Sequence, residues 1–232
     1  ESYLRGQGGL LDIAIHPNYS KNNLIFLSMS SQLGEGNGGN TAIYVAKLNE
    51  NSLSNIKLLY KAEPNTKKGQ HWGSRIVFDN KGHLFFSIGD RGNRDVNPQN
   101  INLDGGKIYR LNLDGSIPKD NPFVNKHGAK SAIYSYGHRN PQGLFFHPET
   151  GVLWEHEHGP RGGDEINIPQ IGKNYGWPLI TYGINYIGTS ITDKTEAPGL
   201  EQPIYYWIPS IAPSGWTFLP SDKFPNWKSV LE

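Results

Sequence analysis

Between residues 154 and 178 the chain reads WEHEHGPRGGDEINIPQIGKNYGWP. Glu155, His156, Glu157 and His158 stand directly before a Gly-Pro-Arg-Gly-Gly turn, and Asp164-Glu165 directly after it. Turn glycines let the backbone approach a ligand closely. Pro160 has no N–H, so the Gly159-Pro160 step offers carbonyl oxygens with few competing donors. Carbonyls beside carboxylates suit a hard cation such as Ca²⁺, which takes about six to eight oxygen ligands. Alone, such an acidic loop more often has its acids facing water, so its meaning rests on what the fold brings to it.

Other candidates lie in short Gly-rich motifs: Gln7 in RGQGGL, His71 in GQHWGSR, Asp90 in SIGDRG, and Arg139-Asn140 in YGHRNPQG. His71 and Asp90 fall at opposite ends of one strand–turn–strand sequence, which folds back to bring those ends together. An imidazole with a carboxylate partner is a candidate general base, the acid orienting the ring and stabilising its cation. Arg139 with Asn140 can fork onto a carboxylate. The competing readings are a structural histidine and an arginine that bridges to a neighbouring loop. Asp12, His16, His83, His138 and His147 read as strand-edge or turn residues.

The elements that position these groups are strands. Helical periodicity is hard to find; short apolar runs rich in aromatic and β-branched residues are bounded by Gly, Asn and Pro. One pattern recurs: Gly9-LLDIAIHP then LIFLSMS, Gly73-SRIVFDN then KGHLFFSIGD, Gly143-LFFHP then ETGVLWEHEHG, and Gly215-WTFLP then SDKFPNWKSVL. The matching turn residues Pro17, Asn80, Pro148 and Pro220 lie 63, 68 and 72 residues apart. A propeller blade of four strands needs about 40–50 residues before insertions, and the surplus falls at 95–104 and 183–203. A sandwich has no reason to repeat one hairpin four times. The fourth copy is cut inside its second strand, so residues 1–232 are expected to form a single, incomplete all-β propeller domain with its later blades absent. The candidate residues then cluster at one mouth.

Composition excludes several classes. Lys+Arg 22 against Asp+Glu 21 advertises neither nucleic acid nor an anionic membrane. With Cys 0, disulfides and thiolate metal sites are excluded. No apolar run approaches the ~20 residues of a membrane span.

Taken together, GQGGLLD, HWGSR…IGDRG, KIYRLNLDGSIPKDNPF, YGHRNPQG and EHGPRGGDEIN…GKNYGWP resemble the soluble quinoprotein sugar dehydrogenases, and more narrowly the aldose sugar dehydrogenases of the glucose/sorbosone dehydrogenase family. The resemblance runs over nearly the whole chain. It implies a six-bladed propeller, of which this chain covers roughly the first half to two-thirds, binding pyrroloquinoline quinone (PQQ) and Ca²⁺ and exported to the periplasm or secreted. It implies His71 as general base, Asp90 as its partner, and Gln7, Arg139, Asn140 and Tyr186 at the quinone. The carbonyls of Gly159 and Pro160 would hold the quinone-bound Ca²⁺, with Glu165 and the Tyr175 carbonyl at a second, structural Ca²⁺. An aldose would be oxidised at C1 to a lactone, with electrons passed to a separate acceptor. The alternatives are a metal-dependent propeller lactonase and a non-catalytic sugar- or protein-binding propeller.

Overall fold

The computed structural model describes residues 2–218. Strands β1 (Leu10–Ile15), β2 (Leu24–Ser31), β3 (Asn40–Asn49) and β4 (Ser52–Lys61) make one four-stranded antiparallel meander. Strands β5 (Ile76–Phe78), β6 (His83–Ile88), β7 (Lys107–Asn112) and β8 (Ile133–Tyr136) make a second. The third comprises β9 (Pro141–Phe146), β10 (Leu153–Glu157), β11 (Asp164–Asn167) and β12 (Tyr205–Trp207). These are three blades of a propeller. The one α-helix among the described residues, α1 (Tyr19–Asn22), is a single turn, and none of the described helices is long and apolar enough to cross a membrane.

The repeated hairpins are the pairs β1–β2, β5–β6 and β9–β10. The fourth copy is only partly described: residues 215–218 form no strand, and residues 219–232 lie outside the described part. The expected insertions at 95–104 and 183–203 carry no strand.

The blades stack through strand alternation. In β6, Leu84, Phe86 and Ile88 join Phe26 and Ile43 of the first blade in one core cluster. Phe85, one residue out of phase, joins Leu144 and Leu153 of the third blade. Successive side chains of a strand point to opposite faces, so a middle blade covered on both sides reads as an unbroken apolar run. β7 divides the same way, with Tyr109 and Leu111 toward the first blade and Ile108 toward the third. Phe86 and Tyr109 stack with centroids 4.9 Å apart. Each such fully buried side chain contributes about 1.5–3 kcal/mol.

Polar ties cross the same interfaces. Asp12 of β1, expected as an edge residue, is instead a cross-blade anchor: it accepts from Arg75 Nη1 (3.1 Å) and from the Ile76 N–H (2.8 Å). Ser87 Oγ donates to Pro141 O of the third blade (3.0 Å). The starts of β5 and β9 and the ends of β6 and β10 therefore converge at one end of the sheets.

Candidate active site

Antiparallel pairing of Ile76 with Phe86 aligns the segment before β5 with the turn after β6. His71 Nδ1 lies 2.6 Å from Asp90 Oδ1. An anionic partner on Nδ1 selects the tautomer with its proton there, leaving the Nε2 lone pair free. Asp90, 1% exposed, also accepts the Gly92 N–H at Oδ1 (2.7 Å) and the Trp177 indole N–H at Oδ2 (2.9 Å). Burial alone would raise this carboxyl's pKa. The hydrogen bond and charge of His71, the Trp177 bond and the Arg139 charge outweigh it and hold the pKa below its ordinary value. Asp90 is thus an anion at neutral pH.

His71 sits at φ +57°, the left-handed region that side chains with a Cβ seldom adopt. Its N–H donates to Gln7 Oε1 (2.8 Å), and the Gln7 N–H to Gly69 O (2.7 Å). Asn140 Oδ1 accepts the Gly73 N–H (3.2 Å). Arg139 is buried, donates through Nη1 to His158 O (2.7 Å), and lies 5.5 Å over the Trp177 ring.

A cavity of about 290 Å³ opens at this mouth. His71, Asp90, Arg139, Pro160 and Tyr186 line it, joined by Trp177, Lys68, Gln70, Arg94, Asp95 and Asn185. Of the residues expected at a quinone, Arg139 and Tyr186 are on the wall. Gln7 and Asn140 are not among the lining residues; both brace the backbone around His71.

A narrow crevice lies behind Arg139 and Trp177, lined by Gly159, Glu165 and Tyr175 together with Glu157. The Gly159-Pro160 step separates it from the larger cavity, and neither carbonyl accepts a hydrogen bond among the described residues. A Cβ on Gly159 would lie 2.3 Å from Gly162 O, so the tight turn requires glycine there. Its N–H is held by Asp164 Oδ1 (2.8 Å). Asp164 Oδ2 also accepts the N–H groups of Ile211 and Ala212 (both 2.7 Å).

The acids of this stretch do not face water: Glu155 is 0% exposed and Glu157 4%. In β10 the alternation Glu-His-Glu places both glutamates on one face. Glu157 Oε2 accepts the N–H groups of Arg139 and Asn140. His138, expected at a strand edge, is instead wholly buried. It lies 3.3 Å from Glu157 Oε1 and stacks on Tyr175 at 4.6 Å. Burial and the neighbouring Glu157 charge push Glu165 up to about 8. The same causes push Glu155 well above the usual carboxylate range. Glu155 Oε1 and Asn167 Oδ1 have no hydrogen-bond partner among the described residues, and the Tyr175 carbonyl accepts none. Buried, mutually repelling carboxylates beside orphaned oxygens are chemically suited to hold a hard cation.

Sequence reasoning missed Trp177, which bonds the dyad, and the polar rim of Lys68, Arg94, Asp95 and Asn185; it singled out Glu157 as a carboxylate but not its role of carrying the Arg139-Asn140 backbone. The Glu-His-Glu alternation was a readable signal for Glu157. Trp177 had none, since it arrives from the strandless stretch between β11 and β12.

The chain is 46% identical to the aldose sugar dehydrogenase YliI of Escherichia coli K12 over 233 residues, covering 99% of this chain and 62% of that protein. The crystal structure of the soluble aldose sugar dehydrogenase from E. coli in its apo-form superposes with a TM-score of 0.93 at 43% identity, over 98% of this chain and 66% of that one. The PQQ-bound form of the aldose sugar dehydrogenase from Streptomyces coelicolor superposes with a TM-score of 0.74 at 29% identity, over 91% of this chain and 57% of that one. The chain thus spans less than two-thirds of the length of these relatives. With the family pattern for Glucose / Sorbosone dehydrogenase matched over residues 1–231, the chain belongs to that family.

Proposed function

We propose that this chain supplies the base, much of the quinone seat and the cation ligands of a quinoprotein that oxidises aldose sugars at C1 to lactones. The observation that carries the reading is the His71–Asp90 pair on the wall of a polar cavity, with the Arg139 cation and the Gly159-Pro160 carbonyl step beside it. When bound, PQQ supplies a two-electron acceptor for hydride, and Ca²⁺ polarises its carbonyl oxygen.

The residues present fit both groups. Lys68, Arg94 and Arg139 give a tricarboxylate quinone cationic neighbours, and the free Gly159 and Pro160 carbonyls offer oxygen ligands to its Ca²⁺. Glu165 and the Tyr175 carbonyl, with Glu155 and Asn167 adjoining, suit a second, structural Ca²⁺, which would let the buried carboxylates ionise. In the reaction His71 Nε2 takes the proton of the anomeric hydroxyl, while Asp90 holds the ring's orientation and stabilises the imidazolium. Base catalysis of this kind contributes ~10²–10⁴ in rate. Asp90 keeps its charge throughout, having donors on both oxygens. Electrons leave to a separate acceptor, and the family's export argues for a periplasmic or secreted enzyme.

The test is titration of the full-length protein with PQQ and Ca²⁺, followed by absorbance, and then dye-linked oxidation of aldoses. Stoichiometric quinone binding that needs Ca²⁺, with aldose-dependent dye reduction, is the expected result. Hydrolysis of lactones without quinone would overturn the reading in favour of a lactonase.

A further inference from the structure

We propose that Arg91 is a positioning residue for His71: its guanidinium, stacked on Trp72, clasps the loop that carries the base. Asp90 orients the ring of His71, and the next residue orients its backbone. The inference deepens the function proposed above and rests on it for its kinetic arm only.

Arg91 is wholly buried, yet none of the ion pairs among the described residues includes it. Its Cζ lies 3.3 Å above the Trp72 ring. Nη1 donates to Gln70 O and Nη2 to Lys68 O (3.1 Å). The acceptors are main-chain carbonyls one and three residues before His71, and the stacking partner is the residue immediately after it. Lys68 Nζ answers by donating to Gly92 O. A Cβ on Gly92 would lie 2.4 Å from Gln70 Nε2, so the 90–92 turn is pressed onto the loop. Burial pulls the Arg91 pKa down to about 9, with the Asp90 charge opposing the fall, so the clasp is cationic at neutral pH.

The loop needs such a hold. It has no strand ladder, and His71 is at φ +57°, a conformation that persists only where surroundings over-determine it. Arg91 itself sits at φ +57°, which aims its side chain back at the loop at a cost in backbone strain. A guanidinium engaged only for stability would be expected to seek a carboxylate; this one spends both terminal nitrogens on two carbonyls of one short loop.

The test compares Arg91→Gln and Arg91→Lys with Arg110→Gln in the full-length protein. Arg110 is also buried and stacked on an aromatic ring, but it bonds Asp120 and Asn121 away from the mouth. The first readout is the low-field proton resonance of the His71 Nδ1–H···Asp90 bond, identified by its loss in His71→Gln. The expected result is loss or broadening of that resonance in Arg91→Gln and a fall of ~10–10²-fold in kcat, the scale of a misplaced catalytic group, with KM for the sugar within about twofold. Arg110→Gln, matched for loss of melting temperature, should change neither. Arg91→Lys, which keeps the charge but not the planar fork, should fall between and serves if Arg91→Gln does not fold. Retention of the resonance with kcat within twofold of wild type in the Arg91 variants would overturn the clasp. If the wild type oxidises no aldose, the functional reading fails, and the resonance still decides the clasp.

Discussion

Trp177→Phe tests whether the indole N–H holds Asp90 as an anion. The bond is 2.9 Å long and ends on a carboxylate that is 1% exposed, so bulk water competes little for it. A hydrogen bond to a charged group contributes about 1.5–3 kcal/mol. The ring's lost volume adds a packing cost, so the bond is isolated by a double-mutant cycle with Asp90→Ala, read by urea denaturation at pH 7. The expected coupling is about 2 kcal/mol. The sign with pH also follows. Asp90's pKa is depressed in the fold, so its contribution is present above the unfolded value of about 3.9 and is lost as pH falls through the folded value. Trp177 is one cause of the depression; removing it raises the folded pKa toward the unfolded one. The difference between wild type and Trp177→Phe should therefore be largest at neutral pH and shrink below about pH 4. Additivity within about 0.5 kcal/mol, or a difference independent of pH, would refute the reasoning.

His71→Gln should lower kcat at least ~10²-fold while leaving quinone binding nearly intact, since a base acts on the transition state rather than on the cofactor; steady-state kinetics with a dye acceptor and a quinone titration check both halves. Chelation should lower the melting temperature of the wild type but not of Glu165→Ala, because an ion bound only by the folded state stabilises it by mass action. With Glu165 pushed up to about 8 in the ion-free fold, its proton must leave on binding, so the Ca²⁺-dependent rise should be larger at about pH 8.5 than at about pH 6. Gly143→Ala should cost about 1–3 kcal/mol, because its Cβ would fall 2.1 Å from Nε2 of the buried His156 ring; calorimetry of Gly143→Ala with and without His156→Ala should show the second change recovering part of the loss.

The blades were legible because hairpins have two strong local signals, turn residues and an alternating face, and both repeat. That logic extended to His71 and Asp90: residues flanking paired strands must meet, and they do, at 2.6 Å. It stopped where the ladder stops. Gln7 and Asn140 were expected to grip a ligand; the structure adds that the amide oxygen of each accepts a backbone N–H near His71, which leaves their NH2 groups for the ligand role. Strand register fixes where a residue lies, not which partner its amide chooses. Trp177, in a strandless segment with no register to read, reaches Asp90 across 87 positions of sequence. The acids of β10 failed differently. Their burial follows from a middle position in the third blade, but burying Glu155 and Glu157 beside Glu165 of the neighbouring β11 raises the free energy of the ion-free fold, and no pattern of apolar residues announces that. Such a cluster needs its repulsion offset, by protons in the ion-free fold, or, on the function proposed above, by a divalent cation that would supply the missing charge where Glu155 Oε1 and Asn167 Oδ1 lack partners. The crevice shares Arg139 and Trp177 with the cavity wall. Because Glu157 holds the backbone of Arg139 and Asn140, an ion that set its position would also set theirs, and the stability of the third blade would then be tied to the shape of the mouth.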